Sequence, residues 1–220
     1  MSRYSLRADV HCCIANGHAA FLDVAADRYF GLPANMEEEF RTFLSTGCLG
    51  KTAEQSLAPL IRAGLLEQQD GIATPVCTLA FPPPQISALD SPRSRARVGA
   101  IALALISQVS TARDLARRPL KAVLAGHRVR KVRATPMQSP PSSDLITSFL
   151  ATRRFVGTQD RCLRWSLAMV DFLSKHGSFP QLVLGVKMAP FAAHAWVQHE
   201  EVVLNDDVDR VRAYTPILVV

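Results

Sequence analysis

The chain has no apolar run of membrane-spanning length. Its longest, Val98 to Ile106, is about half the ~20 residues a spanning helix needs and reads as a buried helix. The first ten residues, MSRYSLRADV, lack the apolar core of about 7–15 residues that an export signal requires. A cytoplasmic protein without a membrane span is therefore expected. Cysteine is scarce: the five stand at positions 12, 13, 48, 77 and 162 with no CxxC spacing, which suits free thiols in a reducing compartment. His11, Cys12 and Cys13 adjoin, but neighbours on a strand point to opposite faces and chelate poorly, so neither metal nor other cofactor is expected. No internal repeat is visible.

What is present is enough for one good core or two small ones: 220 residues, 48% of them hydrophobic. The net charge of +6 is unevenly placed. Residues 1–80 hold six Lys/Arg against nine Asp/Glu, whereas Arg113 to Arg133 holds eight against the single acid Asp114. The basic excess belongs to a central helical region and reads first as a solvated helix face, with a docking surface for an acidic partner as the alternative.

Strand-type segments at Val10–Ile14 and His18–Val24 are joined by Asn16-Gly17, a strong hairpin signal, and a third strand follows at Arg28–Leu32. From Asn35 the spacing of Met36, Phe40, Phe43 and Leu44 is helical and Gly47 ends it. One further helix, capped by Thr52, is indicated by Leu57, Leu60, Ile61 and Leu65, with no separate short helix before it. Phe81-Pro82-Pro83-Pro84 continues neither helix nor central strand, so residues 81–92 read as a linker between a unit at 1–80 and another at 93–220. In the second, helices at about 93–117 and 119–132, a Pro/Ser-rich break and two more helices precede strands at Gln181–Met188, Ala193–His199, Val202–Asn205 and Ala213–Val220. The class is α+β.

Thiol chemistry needs a thiolate, a histidine to take its proton and a polar group to orient that histidine. Cys162 falls at the start of a helix that Asp160 would cap, where the helix N-terminus favours the anion. Arg164, Ala168, Asp171 and Lys175 read as that helix's solvent stripe, which turns Cys162 toward the sheet. Alternation in AHAWVQH places His194, Trp196 and Gln198 on one face. A turn centred on Glu200 then sets Gln198 against Val202 and His194 against Asp206, with Asp207 on the other face.

The runs RCLRWSLAM, LVLGVKMAPFAAHAWVQ, VVLND and YTPILVV resemble the C-terminal domain of lasso peptide maturation B proteins, the leader peptidases of microcin-type lasso peptides. That resemblance implies a papain/transglutaminase-like helix-plus-antiparallel-sheet domain, with a Cys–His–Asp triad at Cys162, His194 and Asp206. The segments YSLRADV and FLDVAADRYFGL resemble the PqqD-like precursor-recognition domain, winged-helix-like with three strands plus helices. Its family binds the leader peptide by adding a strand to the third strand beside a helix, here with Arg28, Tyr29, Phe30, Leu32, Leu57 and Ile61 as groove residues. Tyr29 and Phe30 alternate, so one is expected in the core and the other on the leader. The family also implies a partner, an ATP-dependent asparagine-synthetase-like lasso cyclase. Two readings stay open beside leader proteolysis. An amine acceptor in place of water makes the same triad an acyltransferase. A winged-helix regulator would bind nucleic acid, although the unit at 1–80 is the acidic one and so unsuited to phosphate.

Overall fold

A computed structural model of the chain describes residues 2–69, 81–90, 94–133, 140–154 and 161–220. The chain opens with β1 (Ser2–Leu6), then an antiparallel hairpin of β2 (Val10–Ala15) and β3 (His18–Asp23). Asn16 and Gly17, both at positive φ, form its two-residue turn, a conformation this pair adopts at little cost. β4 (Arg28–Gly31) pairs with β3 as the outer strand of the sheet β2-β3-β4. α1 (Ala34–Thr46) buries Met36, Phe40 and Phe43 and stops at Gly47.

Two features of this region differ from the sequence expectation. β1 forms a further sheet with β5 (Cys48–Leu49) and β6 (Leu66–Gln68), strands too short to show a period. The single helix expected from Thr52 is also two: α2 (Lys51–Ser56), whose cap is Gly50, and α3 (Ala58–Arg62). Pro59, in the first turn of α3, has no N–H to continue the earlier helix and starts a new one.

The segment expected as a linker also contributes structure. β7 (Ile86–Ser87) runs parallel to β10 (Val202–Val203) and completes a five-stranded sheet, β11-β8-β9-β10-β7. Before its main strands come α4 (Val98–Arg117), α5 (Leu120–Arg133), α6 (Ser143–Ala151) and α7 (Cys162–Ser174). β8 (Gln181–Met188), β9 (Phe191–His199) and, after β10, α8 (Val208–Arg212) and β11 (Thr215–Val219) complete the chain. α8 is a one-turn helix that no sequence period announced.

α7 is the centre of this half. Trp165 to Leu173 are all buried, because β8 and β9 cover one side and α4, α5 and α6 the other. Half of the expected solvent stripe is internal: Arg164 is half-buried and Lys175 exposed, but Ala168 is fully buried, and Asp171 is buried while accepting from Lys175 Nζ at 2.6 Å, with Arg130 Nη1 at 3.4 Å. Part of the basic excess thus serves contacts within the fold, as does Lys121, 2.5 Å from Asp9. α4 is long and apolar enough, by length and composition alone, to cross a membrane. Its Ala100, Ala104, Ser107, Gln108 and Thr111 are nevertheless buried in the helical layer.

The sheet β2-β3-β4 serves two cores at once. Val10, Cys12, Ala19 and Phe21 join the cluster built on α1 to α3, while Cys13, Ala15, Ala20, Leu22 and Val24 join the larger cluster around α7, β8 and β11. Cys12 is disulfide-bonded, which corrects the expectation of free thiols and removes the cysteine argument for a reducing compartment. Cys13, Cys48 and Cys162 are free. Burial pushes the Cys13 thiol up to about 12. Cys77 lies outside the described residues.

Leu22 is fully buried in the larger core. Leu22→Ala should therefore cost about 2–5 kcal/mol of the stability of the whole chain. Chemical denaturation followed by Trp fluorescence, which reads Trp165 and Trp196, should show the loss. An unchanged midpoint for the tryptophan transition would show that the two cores are not shared.

Candidate functional site

Cys162 is the first residue of α7. The cap position is Arg161, whose side chain makes no capping hydrogen bond, and Asp160, the expected cap, lies outside the described residues. At this end α7 runs beside an open edge of β9, which exists because β10 ends at Val203. The pairing of β9 with β10 is Val202 with His199 and Val203 with Gln198, one residue away from the expected register. The reason is a two-residue turn, Glu200-Glu201, with Glu200 at positive φ, in place of a turn centred on one residue.

Past Val203 the β9 edge is satisfied one group at a time. Leu204 N–H donates to the Val197 carbonyl at 2.8 Å, and Val197 N–H donates to Asn205 Oδ1 at 2.8 Å. The Ala195 carbonyl accepts from Ser166 Oγ at 2.9 Å, and Ser166 Oγ accepts from Asn205 Nδ2 at 2.9 Å. The Ala195 N–H reaches the Cys162 sulfur, as does that of Leu163. A side chain of α7 thus replaces a missing strand, and that contact places the thiol beside His194.

His194, 5% exposed, has Nε2 at 2.5 Å from Asp206 Oδ2, and hydrogen-bonds the Cys162 thiol. With Nε2 on the carboxylate, Nδ1 is the ring nitrogen left for sulfur. A regular continuation of the observed register would have set residue 207 opposite His194. Instead the chain bends after Val203 and carries Asp206 under the ring. Three contacts hold it there. Ser87 Oγ donates to the Asp206 carbonyl at 2.7 Å, Asp207 N–H donates to Asp206 Oδ1 at 2.9 Å, and Arg210 Nη1 stands 3.8 Å from Oδ1. Asp207 is occupied elsewhere, since its Oδ1 accepts from the N–H groups of Asp209 and Arg210 and caps α8.

These contacts set the charges. Burial opposes the charged form of each group and is the largest influence on all three. For Asp206, the bonds from His194 and Asp207 and the charges of His194 and Arg210 outweigh it, holding the carboxyl below its ordinary value. His194, tied to Asp206 and Cys162, is raised to about 9. The Cys162 thiol is lowered, by His194 first and then by the two backbone amides. Both shifts favour the pair of thiolate and imidazolium over the neutral pair, and the thiolate is the form that attacks carbonyl carbon.

The floor beneath His194 depends on one glycine. Gly185 lies opposite His194 across β8 and β9, and a Cβ there would stand 2.7 Å from Trp196 Cζ3 and 3.1 Å from Tyr214 Cβ. Trp196 stacks toward His194 with ring centroids 6.3 Å apart, and its Nε1 donates to Gln198 Oε1 at 3.0 Å. Gln198 Nε2 in turn donates to the Pro82 carbonyl at 2.8 Å, so the Pro-rich segment helps fix the face that carries His194.

The residues expected to bind a leader scatter more widely. Arg28 is exposed, its guanidinium 5.6 Å from the centre of the Phe30 ring. Phe30 stacks on Phe21 at 4.9 Å, and with Leu32 and Ile61 it packs partly buried on the α1–α3 core. Leu57 is fully buried at the junction of α2 and α3 and cannot line a groove, which corrects that expectation. Tyr29 and Phe30 do not divide into core and surface. Both are half-buried, each on a different core, and Tyr29 lies on the one beside Cys162.

Ser166, Asn205 and Ser87 are site residues that the sequence pattern did not single out. A signal existed for two: Ser166 is four residues after Cys162, on the same helix face, and Asn205 adjoins Asp206. Ser87 had none.

Fold and site together define a helix-and-antiparallel-sheet protein whose cysteine, histidine and aspartate meet at one helix terminus. The model of the transglutaminase-like superfamily matches residues 105–219, and the chain belongs to that superfamily, whose members are typically cysteine peptidases or transglutaminases. No curated protein and no solved structure matches the chain.

The electrostatics make a pH prediction. Alkylation of Cys162 by iodoacetamide, followed by peptide mapping, should rise with an inflection below that of an ordinary thiol. His194→Ala should move that inflection upward, because burial then acts against only two amides. Since His194 is raised, its stabilising contribution is present below its unfolded value of 6.5 and is lost as pH climbs through about 9. The Cys162 contribution has the opposite sign and is lost as pH falls through its lowered value. An inflection that does not move in His194→Ala would break the pairing.

Proposed function

We propose that the chain is a cysteine peptidase that removes the leader from a lasso peptide precursor, residues 1–80 engaging the leader and 93–220 performing the chemistry. The observation that carries the peptidase reading is the Cys162–His194–Asp206 constellation, whose contacts favour the thiolate and the imidazolium. The leader reading adds the outer edge of β4, which no strand among the described residues pairs, and the resemblance of both halves to the B proteins.

In this mechanism the Cys162 thiolate attacks the scissile carbonyl carbon. The tetrahedral intermediate expels the amine, which takes its proton from His194, and leaves a thioester. Water then adds as His194 accepts its proton, and the carboxylic acid departs with the thiolate restored. Asp206 keeps the imidazole oriented and stabilises its cation. The Cys162 backbone N–H, in the first turn of α7, is the proposed donor to the oxyanion. The freed core would pass to the asparagine-synthetase-like cyclase, which is the expected partner.

Membership of a superfamily that includes transglutaminases supports a second reading, in which an amine in place of water resolves the thioester. The mass of the product separates the two outcomes.

Cys162→Ala should abolish leader removal from a precursor, measured by mass spectrometry, with the fold retained. Cleavage by that variant would sink the assignment. Asp206→Ala should lower kcat/KM by about 10²–10⁴. Asp207→Ala removes a helix cap worth about 0.5–2 kcal/mol and should change kcat/KM far less. The reverse order would mean that the carboxylate orienting His194 has been misassigned.

A further inference from the structure

β4 is the outer strand of its sheet, and among the described residues no strand pairs with its far edge. Tyr29 leans from it onto the core that Cys162, Leu163 and Met188 also pack against. The Tyr29 ring stands 6.0 Å from that of Phe191, the first residue of β9 and three residues ahead of His194. Phe191 is 50% exposed, an unusual setting for a large apolar ring. Gly31 of β4 lies against the same place, since a Cβ on it would be 3.4 Å from Met188 Cε. β4 and the β8–β9 turn therefore meet, and Tyr29 at that junction is near enough to Cys162 for the charge of the sulfur to act on its phenol.

We infer that Tyr29 and Phe191 form an aromatic subsite that receives an apolar side chain of the peptide whose carbonyl Cys162 attacks. The inference rests on the peptidase reading for its ligand. Burial, and next the charge of Cys162, hold the Tyr29 hydroxyl above its ordinary value, so the phenol stays neutral beside the thiolate. A neutral ring beside an exposed phenylalanine offers an apolar side chain two faces to pack on, with an O–H left to donate to the peptide backbone. The geometry also gives β4 a second role. A peptide paired along its edge would pass Tyr29, and the subsite would fix which carbonyl reaches the sulfur.

The test has a chemical arm and a peptide arm. In the first, Cys162 of the intact chain is alkylated with iodoacetamide or with N-phenyliodoacetamide, and the rates are read by peptide mapping. The aromatic reagent should gain about 3–10-fold over its ratio on free cysteine. That gain should vanish in Phe191→Ala and Tyr29→Ala and persist in Tyr29→Phe. Equal ratios in the wild-type chain and both alanine variants overturn the subsite, whatever the chain cleaves. Should Tyr29→Ala fail to fold, Phe191→Ala decides alone, since its ring is half in solvent. In the second arm, peptides carrying Leu or Ser beside the scissile bond are compared. The wild-type preference for Leu in kcat/KM should fall about 3–10-fold in the alanine variants. An unchanged preference overturns the subsite. An aromatic gain in alkylation with no cleavage of any peptide would remove the peptidase reading and support the subsite.

Discussion

The site depends on β10 being only two residues long. Val203 is its last residue, and beyond it β9 presents backbone donors and acceptors that no strand among the described residues pairs. Unpaired buried backbone groups cost enough that some partner must be found. Here the partners are side chains: Asn205 on Val197, Ser166 on Ala195, and Cys162 on the next N–H. One requirement of sheet hydrogen bonding thus sets the depth of α7 against the sheet, the position of the thiol and the bend that carries Asp206 beneath His194. A longer β10 would have satisfied the same groups and displaced the sulfur.

The surroundings hold this arrangement from three sides. β7 ties the Asp206 backbone through Ser87, the Pro-rich segment accepts from Gln198 on the face of Trp196 and His194, and α4, α5 and α6 enclose α7 from outside. α7 is therefore placed by contacts along its whole length, and a thiol on its first residue inherits that precision. The buried Asp171, in contact with Lys175 and Arg130, joins the helical layer at the far end of the same helix.

The N-terminal sheet joins the two cores by being apolar on both faces. Alternate residues of β2 and β3 pack into different cores. As a result the two aromatic residues of β4 serve different cores, Tyr29 the one that Cys162 also packs against.

Local sequence determined what depends on local chemistry. The hairpin at Asn16-Gly17 follows from residues tolerant of positive φ, α1 from its apolar spacing and closing glycine, and β8 from its β-branched and apolar run. The α+β class was legible from the order of elements, and the grouping of Cys162, His194 and Asp206 from the family resemblance. The strand pairing expected to join His194 and Asp206 is not the one observed, and a bend after Val203 brings them together. Tertiary structure decided everything that rests on distant pairing. It set the β9–β10 register one residue from the local expectation, because a turn of two residues fits where one was counted. It buried Ala168 and Asp171 of the expected solvent stripe of α7, since a helix pattern cannot reveal how many neighbours will cover it. It put Ser87, 119 residues away in sequence, against the backbone of Asp206, a contact that has no local signature because it exists only once the sheet has closed.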